Sequence, residues 1–340
     1  MKTTDFAEQL EAFLTIHLPG QRGLSQNTIL SYRDTFKFLL QYAEQECGLR
    51  PDKMKLMDFS AEFVEGFLDW LESRRNCSRS TRNQRLAAIR SFTRYVQGKR
   101  PEYLFEAQKI KGIRSKKRPQ PQLPYLAPDL VRIILAQPDT SSKYGRRDAA
   151  LLSLLYDSGA RVQEICDIRV RDVRVQKPYT VTLTGKGNKT RAVPIMSNTA
   201  EIIEKYLAEH SLMTANKLDY PLFRNHQHSK LTRAGIAYIL KKYCNQAQII
   251  EPSVPATISP HILRHSKGMH LLQAGVNLVY IRDFLGHASI TTTEIYAKAD
   301  TETKREALEK AAIQVSPELP DWAQDKSLMS LLTTLCVPAN

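Results

Sequence analysis

Residues 261–296 read HILRHSKGMHLLQAGVNLVYIRDFLGHASITTTEIY. Helix starts are expected near Pro260, Asn277 and Ser289, which makes this stretch a run of short helices. It carries His261 and Arg264 three residues apart, then His287 and, nine residues later, Tyr296. Singly, none of these is informative. A lone His is more often a hydrogen-bonded structural residue than a catalyst, a lone Arg on a helix is usually a surface ion pair, and a lone Tyr is usually a core anchor. Two upstream stretches change the reading. GARVQEI (159–165) holds Arg161 and Glu164, and TGKGNKTR (184–191) holds Lys186 in a Gly-rich turn.

Taken in order, these residues describe a phosphodiester site. A phosphate under attack develops charge on its non-bridging oxygens, and arginine offers planar, always-charged donors to them. Arg161 and Arg264, from separate segments, would form such a clamp, and phosphoryl transfer depends mainly on positioning and electrostatics. Tyr296 supplies a phenol nucleophile, and His261 is the candidate to assist its proton transfer. Lys186 can reach a leaving oxygen as general acid, with Lys189 as the alternate, and His287 can bond a phosphate oxygen. No Asp/Glu/His cluster at metal-ligand spacing accompanies them, so the expectation is no metal and no cofactor.

The charge of the chain points to a polyanion. The 340 residues carry 49 Lys+Arg against 35 Asp+Glu, a formal net charge of +14. Nearly all of the surplus lies between Arg74 and Arg118, where fifteen basic residues face only Glu102 and Glu106. A generic basic run is often just a solvated face, but this density, with Phe92, Tyr95 and Tyr103 interleaved, reads as a duplex-phosphate footprint. Arg82, Arg85, Arg90, Arg94, Lys116, Lys117 and Arg118 are its candidate contacts. Phosphate-holding and base-reading arginines look alike in sequence, so specificity is not readable. A peripheral membrane role is disfavoured because no basic helix has a Trp/Phe-rich opposite face. No apolar run approaches the ~18 residues of a span, and MKTTDFAEQLEAFL lacks the features of a signal peptide. The five scattered cysteines form no CxxC pair, which fits a reducing cytoplasm.

Length and 42% hydrophobic content predict about two globular domains. Four amphipathic helices are expected in the first hundred residues: Asp5–His17, then three capped by Ser25, Ser60 and Ser80. IKGIRSKKRPQPQLPYLAPD (110–129), with four prolines, reads as an extended linker, the boundary falling near Pro119. The second half is mostly helical. Tyr179–Thr184 and Ala192–Ile195 flank the Gly-rich turn as a β-hairpin. The fold class is therefore mainly α with a small β-hairpin or sheet. A short amphipathic tail, 315–340, closes the chain.

The ordered set HILRH, LGHASITTTEIY, GARVQEI and TGKGNKTR with AVPI resembles the tyrosine recombinase (phage integrase) family over nearly the whole chain. SQNTILSYRDTFKFLLQYA (25–43) resembles the family's core-binding domain. The resemblance implies a helical core-binding domain at 1–110, a linker at 111–124, a mixed, mostly helical catalytic domain at 125–314, and a tail at 315–340 able to dock on a neighbouring subunit. It implies a clamp around double-stranded DNA and catalysis by Arg161, Lys186, His261, Arg264 and His287, with Glu164 in support and Tyr296 as nucleophile. It implies a 3′-phosphotyrosyl intermediate that needs neither metal nor ATP, and four subunits on synapsed DNA, acting alone or with a partner recombinase. The first-arginine box departs from many members in its Ala and Gln, and HSKGMH (265–270) departs where many have Thr and small residues. The two-domain layout fits transposon or chromosome-resolution recombinases, and the expectation is a mobile-element enzyme. Alternatives are a type IB topoisomerase-like relaxer and a non-catalytic DNA-binding protein; retention of the whole residue set argues against the second.

Overall fold

The computed structural model describes residues 3–117, 124–185, 187–287, 289–299 and 330. Contacts divide the chain into two compact units, Met1–Pro121 and Gln122–Asn340.

Unit 1 is built of α1 (Asp5–Ala12), α2 (Gln26–Cys47), α3 (Ala61–Ser73), α4 (Arg79–Lys99) and α5 (Leu104–Gly112). α1 runs on into a wider, π-helical stretch, Phe13–Gln21, with Pro19 inside it, where the sequence suggested one helix to His17. Side chains of Thr4, Ser60 and Ser78 accept from backbone N–H groups at the starts of α1, α3 and α4. The cap of α4 is thus Ser78, and Ser80 lies inside the first turn. Phe92 of α4 sits at the centre of the core, its ring 5.0–5.7 Å from those of Phe6, Phe13, Phe36 and Phe59. Phe92 and Tyr103 are therefore core residues, not part of a basic surface.

α5 was not legible, because the cations of 109–118 masked it. The segment after it is not a free linker up to residue 117. Ile113 is buried, and Arg90 donates to its carbonyl. Asn83 holds the Lys116 backbone from both sides, Nδ2 donating to the carbonyl at 2.9 Å and Oδ1 accepting from the N–H at 3.1 Å. A side-chain amide matched to a peptide unit in this way is a short stretch of sheet-like pairing.

Unit 2 comprises α6 (Pro128–Leu135), α7 (Lys143–Asp157), α8 (Val162–Asp167), α9 (Ser197–Glu209), α10 (Arg233–Ile250), α11 (Pro260–Gln273), α12 (Leu278–Leu285) and α13 (Glu294–Ala299). Its antiparallel sheet has the order β1 (Val173–Arg174), β2 (Thr180–Thr184), β3 (Thr190–Pro194). The hairpin register pairs Val181 with Val193 and Leu183 with Arg191, so Val181, Leu183 and Val193 enter the core while the threonines face out. β1 escaped sequence reading because two residues carry no periodicity.

Around these elements, α11 is held on several sides. Lys267 and Asp157 form a buried ion pair at 3.1 Å, and Asp157 also accepts from the Met196 N–H at the start of α9. Leu126 donates its N–H to Ser266 at 2.9 Å, and its carbonyl lies 2.8 Å from His270 Nε2. Tyr156 Oη meets the other nitrogen of that ring at 2.8 Å. These bonds fix the helix that presents His261 and Arg264. Among the described residues, no helix is long and apolar enough to cross a membrane.

Candidate active site

Three successive carbonyls end α12, and each accepts from a different arginine. Arg191 Nε donates to Phe284 O at 2.9 Å, Arg264 Nη2 to Leu285 O at 2.6 Å, and Arg161 Nη2 to Gly286 O at 2.9 Å. A helix leaves its last carbonyls unpaired and carries partial negative charge there, so cations gather. Gly286 has φ +65, and a Cβ on it would lie 2.8 Å from Arg191 Nη1. Both facts demand glycine. The Leu-Gly-His triplet thus turns the chain over three guanidiniums and delivers His287 beside them.

Glu164 binds two of these arginines together. Its side chain is 2% exposed. Oε1 accepts from Arg161 Nη1 and Arg191 Nη1, both at 2.9 Å; Oε2 accepts from the Arg161 N–H and Arg191 Nη2, both at 2.8 Å. Burial alone would raise its pKa, but the bonds from Arg191 and Arg161 reverse this and bring it down to about 2. Arg264, also holding the Gly159 carbonyl at 2.7 Å, is buried. Burial, then the charge of Arg161, lowers its pKa to about 10. Among the described residues, three guanidiniums stand against one carboxylate here, and the surplus positive charge is the electrostatic requirement of an anion site.

Tyr296, on α13, is fully buried. Its hydroxyl lies 3.1 Å from His265 Nδ1, and its ring stacks parallel to that of His287 at 6.2 Å. The ring also covers Gly268, where a Cβ would come within 2.6 Å of Tyr296 Cζ. Burial pushes the phenol up to about 12, with Arg264 and Arg161 pulling it the other way. His287 Nδ1 meets Thr293 Oγ1 at 2.9 Å. His287 and His265 are held near 4, chiefly by burial and then by neighbouring cations and histidines, so both are neutral at pH 7. His261 is also lowered, by partial desolvation and the charges of Arg264 and Arg161.

Beside this cluster lies a cleft of about 580 Å³, lined among others by Arg161, Lys189, Arg191, Arg282 and His287. Tyr296 is not among its lining residues. The structure therefore gathers Arg161, Glu164, Arg264, His287 and Tyr296 in one cluster, with His261 one turn from His265 on α11. The histidine bonded to the phenol is His265, not the expected His261. Lys186 lies outside the described residues. Its neighbour Gly185 abuts the cluster, since a Cβ there would sit 2.8 Å from Glu164 Oε1. Sequence reasoning missed Arg191 and His265. The signal for Arg191 was its inward register position two residues before Val193, and for His265 its place one helical turn after His261.

The basic block of unit 1 divides in two. Arg82 is 5% exposed and pairs with Glu72 at 3.3 Å, so it faces inward rather than towards a duplex. Arg85 donates to Ser31 O at 2.9 Å and Thr35 Oγ1 at 3.1 Å and lies over the Phe38 ring, and Arg90 is engaged with Ile113. Arg94, Lys116 and Lys117 are exposed, Lys116 pairing with Glu72. Arg118 lies outside the described residues. Arginine stems pack as well as carry charge, which a charge count does not see.

Fold and site together define a tyrosine recombinase: a helical unit, and a second unit that converges Arg, Arg, His and Tyr on one anion-seeking cluster. Residues 124–303 match the Phage integrase family, and residues 10–98 match the Phage integrase, N-terminal SAM-like domain. The chain belongs to the phage integrase family. It is 34% identical over 335 residues, 98% of this chain and 99% of the other, to y4rC of Sinorhizobium fredii, a protein named for a proposed integrase/recombinase role. It is 32% identical over 301 residues, 86% of this chain and 93% of the other, to the tyrosine recombinase XerD of Listeria monocytogenes. Among solved structures, XerH site-specific recombinase bound to palindromic difH substrate, a post-cleavage complex, matches with a TM-score of 0.66 at 23% identity, covering 86% of this chain and 81% of that one. The Tn1549 transposon integrase bound to transposon right end DNA matches with a TM-score of 0.63 at 18% identity, covering 88% and 98%.

Proposed function

We propose that the protein cuts and rejoins DNA strands at specific sites, in integration, excision or transposition, through a 3′-phosphotyrosyl intermediate. The observation that carries this reading is the convergence of Arg161, Arg264 and Arg191 on the three carbonyls that precede His287, next to the Tyr296 ring. In the reaction, Arg161 and Arg264 neutralise the scissile phosphate. Among the described residues, each uses two of its side-chain N–H groups on the fold, through Nη1 and Nη2, and the other donors serve phosphate oxygens. With His287 Nδ1 accepting from the Thr293 hydroxyl, Nε2 carries the hydrogen and donates to the phosphate.

Tyr296 attacks phosphorus and the bond to the DNA 5′-oxygen breaks. The phenol proton passes to a neutral histidine, His265 or His261, and Lys186 protonates the departing oxygen. The phosphotyrosyl bond conserves the energy of the broken linkage, so the 5′-hydroxyl of a partner strand reverses the step without ATP. A phenol held by His265 and packed on Gly268 has to swing out with α13 before attack. Arg94, Lys116, Lys117 and Arg118 supply phosphate contacts from unit 1, and Arg82, Arg85 and Arg90 keep that surface folded. Four copies on two synapsed sites complete the exchange, alone or with a second recombinase.

The test is a nicked duplex, its sequence selected by the wild-type protein from a randomised pool. Wild type accumulates a covalent protein–DNA adduct; Tyr296→Phe binds equally well and forms none. Adduct formation by that variant would remove the nucleophile. Lys186→Ala regains cleavage on a duplex with a 5′-thiolate leaving group, which needs no proton, whereas equal loss on both substrates would exclude Lys186 as the acid.

A further inference from the structure

We infer that Arg191 is a positioning residue of the cleavage reaction: by neutralising Glu164, it leaves Arg161 its charge for the phosphate. The inference rests on the recombinase reading.

Glu164 creates the need. A buried carboxylate bonded to Arg161 would absorb most of that guanidinium's field, leaving Arg264 as the principal cation near the phosphate. Arg191 removes the conflict. Its Nη1 and Nη2 take one oxygen each of Glu164, at 2.9 and 2.8 Å, in the fork geometry that only arginine provides. The carboxylate is then shared, and the cluster keeps its positive surplus. Glu164 in turn still orients Arg161 through the side-chain and backbone bonds.

The third bond, Nε to Phe284 O, ties β3 to the end of α12. Arg191 therefore links the hairpin that carries Lys186 to the turn that carries His287. Its position supports the role. It pairs across the sheet with Leu183, on the inward face, and its side chain is 13% exposed. A cation at an inward strand position is unfavourable unless paired, and here each of its three nitrogens has a partner. The tight approach at Gly286, where any Cβ would crowd Nη1 at 2.8 Å, means that the turn is shaped around this guanidinium.

The experiment compares wild type, Arg191→Gln, Glu164→Gln and the double variant on the selected nicked duplex, with an ordinary scissile phosphate or a neutral methylphosphonate. Duplex affinity and thermal unfolding are measured alongside. Arg191→Gln is expected to bind DNA as wild type does and to cleave the phosphate roughly tenfold to a hundredfold more slowly. Because the deficit is electrostatic, it shrinks to within about threefold on the methylphosphonate, where there is less charge to neutralise. A merely structural role would slow both substrates equally. The double variant removes the Glu164 carboxylate together with its Arg191 partner, so neither half of that pair is left alone, and it carries the test where the single change unfolds. It is expected to cleave within about threefold of Glu164→Gln alone, because Arg191 has no carboxylate left to offset. Wild-type rates for Arg191→Gln, equal deficits on the two substrates, or a further large loss in the double variant would each overturn the inference. Absence of any adduct with wild type would instead overturn the recombinase reading.

Discussion

Replacing Glu164 by Gln keeps its shape and removes its charge, leaving three guanidiniums around a neutral amide. The carboxyl pKa falls from an ordinary 4.5 to about 2 in the folded protein. At 1.36 kcal/mol per pKa unit this difference corresponds to about 3 kcal/mol of folding stability at pH 7. Removing one partner of a buried pair typically costs about 3–5 kcal/mol, so two routes give the same order. The sign follows from the direction of the shift. A lowered carboxyl pKa stabilises the fold above pH 4.5 and ceases to do so as pH falls towards 2. Wild type should thus exceed Glu164→Gln by about 3 kcal/mol at pH 7, and the gap should close progressively below pH 4.5. His265 and His287, whose lowered values also destabilise the fold in acid, are present in both proteins and cancel in the difference. Urea unfolding followed by circular dichroism and by amide protection in α11 reads unit 2 separately from unit 1. A gap that stays constant between pH 7 and pH 3, or no gap at all, would refute the electrostatic account of the cluster.

Two further outcomes follow from packing. Gly268→Ala puts a methyl within 2.6 Å of Tyr296 Cζ, so the ring is expelled. Its phenol should then titrate below about 12 and become open to nitration; an unchanged titration would mean that the ring is not seated as described. Asn83→Ala frees the Lys116 backbone from two hydrogen bonds, so brief trypsin treatment should cut faster after Lys116 and Lys117, and equal cleavage would deny the clamp.

The legible part of this molecule was the part with periodicity or rare spacing. The apolar stripes of α2, α3 and α4 and the alternation of Val181, Leu183 and Val193 follow from burial of one face. What escaped follows from geometry that sequence does not carry. Arg82 and Arg94 belong to one basic run, yet helical phase turns the first into the core against Glu72 and leaves the second in solvent. Phe92 lies within the same run, but it is the hub of the aromatic core. Arg191 was hidden because a strand arginine is usually exposed; only its register with Leu183 and the partnership of Glu164 reveal it. His265 bonds the phenol because helical spacing places it one turn after His261, on the side where α13 returns.

The most direct measurement digests the wild-type protein after trapping on the nicked duplex and locates the nucleotide-bearing peptide by mass spectrometry. The account predicts a single modified residue, Tyr296, joined to the 3′-phosphate of the cleaved strand. A nucleotide on any other residue, or a 5′-phosphate linkage, would contradict it.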